Sequence, residues 1–163
     1  VYTPLKRRSP IAVFVGAIPG ALPPLIGYFA AFENPHISWI PVSLFLIQFV
    51  WQFPHFWAIA WVSHTDYTKA GFKLLPSDKG PTKFTALQAL MYSVLMLPIG
   101  ILPQYIGLSG NISMWVLVAC NLFMVWQCIR LYKEMDVKAA RRVMFSSYIY
   151  LPIVYLALLA DKL

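Results

Sequence analysis

Long runs without a charged side chain are the feature that most limits how this chain can fold. The longest run, 84–129, contains 46 residues, and further runs cover 9–32, 34–65 and 143–160. A helix that crosses a lipid bilayer needs about 20 mainly apolar residues, so the longest run holds two such helices. The pattern predicts an all-α, polytopic membrane helical bundle that forms a single transmembrane domain over 1–163. Its five spans lie near 11–32, 38–63, 85–107, 112–132 and 144–160.

The composition and the placement of charge support this interpretation. Apolar residues make up 60% of the chain and charged residues 12%, against about 45–50% and about 25% in soluble domains. This excludes a disordered chain and a water-soluble globule. Twelve of the thirteen basic residues lie on one side of the five-span arrangement, and only Lys162 lies on the other. The positive-inside rule therefore accounts for the net charge of +7 without a nucleic-acid partner.

Polar residues within the second span form the first candidate site. At 100° per residue, Gln48, Gln52, His55 and Asp66 fall on one stripe of an unbroken helix. Ionisable groups inside membrane segments usually face an interior cavity and mark functional sites. The alternative is that these groups only hydrogen-bond a neighbouring helix. Pro54 is expected to kink the helix beside them.

Asp66 is one of only two acidic residues in the long loop on the basic side. A single carboxylate among lysines suits Mg²⁺ that is shared with a phosphate-bearing substrate, because Mg²⁺ keeps most of its ligands as phosphate oxygens and water. Nearby lysines such as Lys69 would act as point charges on the phosphates. The alternative is a solvated pair between Asp66 and Lys69, which contributes little to stability.

The first span and the aromatic residues suggest where an apolar ligand would lie. Three prolines, Pro19, Pro23 and Pro24, predict a broken helix, and broken helices at membrane depth usually line a cavity. Four aromatic residues of the second span could form the wall of such a cavity, and the alternative is ordinary core packing and an interfacial aromatic belt. These are Phe53, Phe56, Trp57 and Trp61.

Six short motifs occur along the chain in a fixed order. They are YTPLKR at 2–7, GAIPGALPPLIG at 16–27, WQFPHF at 51–56, DYTKAG at 66–71, LP at 75–76 and ARRVMF at 140–145. In this order they resemble the C-terminal half of the haem-farnesylating branch of the UbiA-type intramembrane prenyltransferases, the protohaem IX farnesyltransferases. The WQFPH run followed about ten residues later by DYTKAG is specific to that branch.

The resemblance implies a fold and a reaction. Members fold as nine helices around a central cavity, and this chain corresponds to the last five. They transfer a farnesyl group from farnesyl diphosphate to a vinyl group of haem b, giving haem O. Mg²⁺ helps the diphosphate to leave, and its site includes Asp66. The implied partners are farnesyl diphosphate, haem b and the lipid bilayer, with haem A synthase or cytochrome oxidase assembly proteins as further candidates.

The family motifs also assign roles by position. Asp66 matches the acidic residue of the second metal and diphosphate motif, and His55 matches a histidine associated with haem, so both are catalytic candidates. The implied substrate-binding residues are Lys6, Arg7, Gln52, Tyr67 and Lys69. In the wider superfamily a second aspartate follows at i+4, where this chain has Ala70, as in the haem branch.

The first aspartate-rich motif of the family is absent from this chain. The chain also begins at Val1 rather than methionine, so we expect it to be a piece of a longer protein. Since half of the metal site is missing, we expect the segment to be inactive alone. We expect a bacterial plasma membrane rather than a mitochondrial inner membrane, because the loops are compact. Two other functions stay open at this stage, a transporter or channel fragment and a non-catalytic haem-binding assembly factor.

Overall fold

The computed structural model describes residues 11–31, 38–77 and 79–162, and within them every regular element is a helix. Five segments are long and apolar enough to cross a membrane, with Ile11–Ala30 counted as one. This confirms the predicted all-α polytopic bundle. Lys6 and Arg7 lie outside the described residues. The helices are α1 (Ile11–Gly20), α2 (Leu22–Ala30), α3 (Trp39–Val62), α4 (His64–Lys69), α5 (Lys83–Tyr105), α6 (Asn111–Glu134) and α7 (Val137–Ala160).

The first span is divided, as its prolines predict. Helix α1 ends at Gly20 and α2 begins at Leu22, with Pro23 and Pro24 in the first turn of α2. Proline fits there because the first N–H groups of a helix have no partner within it. The backbone N–H of Ala21 still bonds the carbonyl of Ala17 at 3.0 Å. The two halves therefore meet in one membrane-crossing segment.

The last helix begins earlier than the charge-free run indicated. Helix α7 starts at Val137 rather than near 144, because the side chain of Asp136 accepts from the N–H of Ala139 at 2.6 Å and caps the helix. Just before it, Met135 takes the left-handed conformation at φ 53° and ends α6. The charge-free run ends at the first charged residues, whereas the helix continues through them into the membrane–water interface.

Helices α3, α5, α6 and α7 form an antiparallel ring. Tyr155 reaches Gln48 and Ser147 reaches His55, so α7 runs opposite to α3. Helices α5 and α6 are joined by a short turn, and α6 and α7 by another. One end of the bundle therefore holds the C-terminal ends of α3 and α6 together with the N-terminal ends of α5 and α7. We call it the basic end, because nearly all the described Lys and Arg residues cluster there, and Lys162 follows the opposite end of α7.

Candidate functional site

A pocket with both polar and apolar walls lies at the basic end, between α4 and the loop that follows it. Its volume is about 300 Å³, and its walls include Tyr67, Lys73 and Lys79 together with the hydroxyl-bearing residues Thr68 and Ser77. Two lysines in the lining of one small concave surface favour an anionic ligand. We call this cavity the basic-end pocket.

Gly80 shapes one wall of the basic-end pocket. It adopts φ +81°, and a Cβ at this position would lie 2.5 Å from Nε2 of His64. Only glycine fits both constraints, because other residues rarely adopt that backbone conformation and a side chain would collide with the imidazole. The close approach of the Gly80 backbone therefore allows the His64 ring to lie in the wall of the pocket.

A smaller apolar crevice adjoins the pocket. Its volume is about 130 Å³, and its outer end shares Tyr67, Phe72 and Leu74 with the basic-end pocket. Its inner lining comes from α1 and α3 and includes Gly16 and Phe56. We call it the inner crevice. A molecule with an anionic head and an apolar tail matches the two spaces in this order.

Asp66 is exposed in the first turn of α4 and lines neither cavity. It makes no ion pair with Lys69 or with any other residue that the structure describes. Across residues 11–31, 38–77 and 79–162 there is no group of three or more His, Cys, Asp or Glu side chains placed to hold a metal. The described residues therefore do not enclose an ion, and a single exposed carboxylate would leave most positions on a Mg²⁺ ion to phosphate and water oxygens.

The contacts of His55 indicate which nitrogen carries the proton. Ser147 Oγ lies 2.7 Å from Nδ1 of His55 and 2.6 Å from the carbonyl oxygen of Met144. We assign the single hydroxyl hydrogen to the Met144 carbonyl, which makes Nδ1 of His55 the donor and leaves the lone pair of the neutral ring on Nε2. The ring also stacks on Trp51 at a centroid distance of 4.4 Å, which fixes its plane.

The predicted polar stripe is interrupted. Helix α3 ends at Val62 and α4 is a separate helix, so Asp66 does not continue the face that carries Gln48 and Gln52. Gln52 is 2% exposed, and its amide donates to the carbonyls of Ala17 and Gln48, both at 3.2 Å. Gln52 thus holds α1 against α3, and its role in substrate binding stays a prediction.

Most of the candidate aromatic wall is core packing. Phe53, Trp57 and Trp61 are buried, and Phe53 and Trp57 pack around the ring of Tyr92. Phe56 alone of the four lines the inner crevice. The ordinary packing interpretation therefore holds for three of these side chains.

Four residues join the site that the sequence did not single out: His64, Lys73, Lys79 and Ser147. The lysines near Asp66 are predicted as a group to act as point charges on phosphates, and their clustering in one loop is the signal for Lys73 and Lys79. Ser147 lies 92 residues from His55 in the chain, and no local pattern links the two.

The fold and this site define a class of protein. The chain is an integral, multi-pass helical membrane protein with an anion-favouring pocket at its basic end. Residues 1–150 match the UbiA prenyltransferase family, and the chain belongs to that family.

Curated relatives narrow the comparison. The chain is 51% identical over its whole length to the protoheme IX farnesyltransferase of Cytophaga hutchinsonii, and covers 56% of that protein. It is 39% identical to the protein of the same name from Christiangramia forsetii, with 99% of the chain matched and 54% of that protein covered. It is also 39% identical to the one from Bordetella pertussis, with 96% of the chain matched and 52% of that protein covered. The chain thus spans about half the length of the curated relatives it matches. No solved structure matches the chain.

Proposed function

We propose that the full-length protein carrying this segment transfers a farnesyl group from farnesyl diphosphate to a vinyl group of haem b, giving haem O. The observation that carries the proposal is that the basic-end pocket and the inner crevice lie side by side and share Tyr67, Phe72 and Leu74 in their linings. That arrangement suits a diphosphate joined to an isoprenoid chain. The names of the relatives, which are 39–51% identical, support protohaem and farnesyl as the reactants.

The diphosphate is the group that the basic end would hold. Lys73 and Lys79 face it from the pocket, and Tyr67 lies where head and tail would meet. Lys69 follows Asp66 by three residues on α4. Lys6 and Arg7 remain predicted contacts. Such charges assist departure of the diphosphate by stabilising the negative charge that develops on its oxygens.

Asp66 would hold Mg²⁺ from the protein side, and its exposed carboxylate leaves room for phosphate and water oxygens. When bound, the ion neutralises charge on the leaving diphosphate. The first aspartate-rich motif lies outside this chain, and we expect the segment alone to be inactive for that reason.

His55 would serve the haem. With Nδ1–H of His55 directed to Ser147, Nε2 carries the lone pair of the ring. Nε2 is therefore the nitrogen able to bind iron or accept a proton. The relatives are bacterial, which supports a bacterial plasma membrane. Haem A synthase and cytochrome oxidase assembly proteins remain proposed partners.

The proposal is tested by kinetics on Lys79→Met in the full-length protein, with haem O quantified by chromatography. We expect the KM for farnesyl diphosphate to rise about fivefold, because one charged contact to phosphate is lost. Lys83→Met is the matched control, since Lys83 is exposed at the same end and does not line the pocket. An unchanged KM in Lys79→Met, or an equal rise in the control, would contradict this assignment.

A further inference from the structure

A trough runs between α6 and α7, away from the pocket and crevice described above. Its volume is about 470 Å³, and it extends from Arg142 at the basic end to Ile153. Eleven helical residues span about 16 Å. Below Arg142 the lining is mainly apolar, with Phe123, Phe145 and Ile149 among its residues.

Two buried polar atoms in this trough have no hydrogen-bond partner among the residues that the structure describes, Nε of Arg142 and Oε1 of Gln127. Gln127 as a whole is only 6% exposed. Two hydroxyl groups of the trough are engaged, since the hydroxyl of Tyr150 bonds Asn121 and that of Ser146 bonds the carbonyl of Arg142. Buried polar groups are nearly always paired, so a lone donor and a lone acceptor in one trough point to a ligand.

The two atoms specify complementary groups on that ligand. The Nε–H of Arg142 requires an acceptor, for which a phosphate oxygen is the strongest partner. Oε1 of Gln127 accepts only, so it requires an O–H or N–H donor. The apolar trough below them suits a hydrocarbon chain. A phosphate, a donor and a hydrocarbon chain occur together in a membrane phospholipid.

The surrounding charge favours a negatively charged phospholipid. Residues 130–142 carry five basic and two acidic side chains. Glu134 pairs with both Arg130, at 3.1 Å, and Arg142. One carboxylate is therefore divided between two guanidinium groups, and residues 130–142 keep a net positive charge. Basic pockets between transmembrane helices on the positive side commonly bind anionic headgroups.

We propose that this trough binds an anionic phospholipid with a hydroxyl-bearing headgroup, whose phosphate accepts from Arg142 Nε and whose headgroup hydroxyl donates to Gln127 Oε1. One acyl chain lies along α6 and α7 toward Ile153. The site is independent of the prenyl-transfer reaction proposed above.

The test measures lipid binding to the purified, delipidated full-length protein by native mass spectrometry. Phosphatidylglycerol is the probe, and phosphatidylcholine is the comparison lipid because its headgroup has a phosphate but no donor. We expect one phosphatidylglycerol to bind with about tenfold preference over phosphatidylcholine. Equal binding of the two lipids would overturn the proposal, as would crosslinks that place the upstream half of the protein in the trough with no lipid retained.

Variants test the two contacts. Arg142→Lys keeps a positive charge that can still pair with Glu134, but it removes the Nε–H donor. Gln127→Met removes the Oε1 acceptor with little change in side-chain volume. Each should weaken phosphatidylglycerol binding about tenfold, with thermal unfolding in lipid-free detergent confirming that the variants fold. Arg141→Lys is the control, because it makes the same change at the exposed neighbouring arginine. An equal loss in Arg141→Lys would show unspecific charge attraction and refute the site.

Discussion

The centre of the bundle and its basic end both carry polar side chains, but they use them differently. In the centre, the Tyr150 hydroxyl donates to Oδ1 of Asn121 at 2.6 Å, and Nδ2 of Asn121 donates to the carbonyl of Met96 at 2.7 Å. Asn121 is fully buried. At the basic end, Asp66 and Lys79 are exposed to water.

The difference follows from the solvent around each region. In hydrocarbon an unpaired polar group costs several kcal/mol, so a polar residue at the centre must find a partner on its own helix or on a neighbouring one. Water solvates the end of the bundle, where side chains stay available to a ligand without loss of stability. Polar residues at the centre therefore fix helix packing, and those at the end are free to act on substrate.

Asp66→Asn would test this division most strongly. We expect prenyl transfer by the full-length protein to fall about 100-fold or more, because the amide cannot replace the charge that binds the metal. Stability should not change, since Asp66 is exposed and forms no ion pair with the described residues. Initial rates with saturating substrates and a thermal melt in detergent measure the two effects.

The neighbouring exposed Thr65 supplies the control for Asp66. Thr65→Ala on the same short helix should leave both rate and melting temperature unchanged. Full haem O synthesis by Asp66→Asn would rule out its role as a metal ligand and would favour a non-catalytic haem-binding protein.

A glycine substitution tests the packed centre. A Cβ at Gly100 would lie 2.4 Å from Nδ2 of Asn121, so Gly100→Ala must displace the bond to Met96. We expect a loss of about 2 kcal/mol in the free energy of unfolding, typical of an overpacked core. Gly27→Ala is the matched control, because a Cβ there meets nothing within 4 Å, and its change should stay within about 0.5 kcal/mol. Equal effects at the two glycines would refute the tight contact between α5 and α6. Unfolding in detergent mixtures gives the values.

The fold was predictable from the sequence because bilayer thickness imposes a length on each apolar run. The second membrane span, predicted at 38–63, is helix α3 (Trp39–Val62) in the structure. The start of α7 was missed, since Asp136 caps a helix whose first turns are charged. Hydrophobicity locates the membrane-embedded part of a helix, whereas capping and backbone geometry decide where the helix begins.

The site was predictable only in part. Asp66 and Tyr67 stood out because acids are scarce and the motif is local. The stripe from Gln48 to Asp66 assumed one continuous helix, and the break at Ser63 removes that geometry. Contacts such as His55 to Ser147 depend on which faces of α3 and α7 meet, and spacing along one helix does not contain that information.

Ser147→Ala tests whether the centre also serves the reaction. Without the hydroxyl, Nδ1–H of His55 loses its acceptor and the ring its fixed tautomer. For histidines that bind metals, loss of such a partner costs about tenfold or more. We expect kcat/KM for haem b to fall about tenfold and the absorption spectrum of bound haem to shift, with the KM for farnesyl diphosphate unchanged.

Ser93→Ala separates this effect from general loss of packing. Ser93 is also fully buried and bonds the carbonyl three residues before it, Leu90, at 2.7 Å, as Ser147 bonds Met144. The ring of His55 lies beside Ser147 and not beside Ser93. A purely structural role would make the two variants alike in melting temperature and in haem kinetics. A spectral shift confined to Ser147→Ala would instead assign Ser147 to positioning His55, making it a polar group of the centre that acts on substrate through its neighbour.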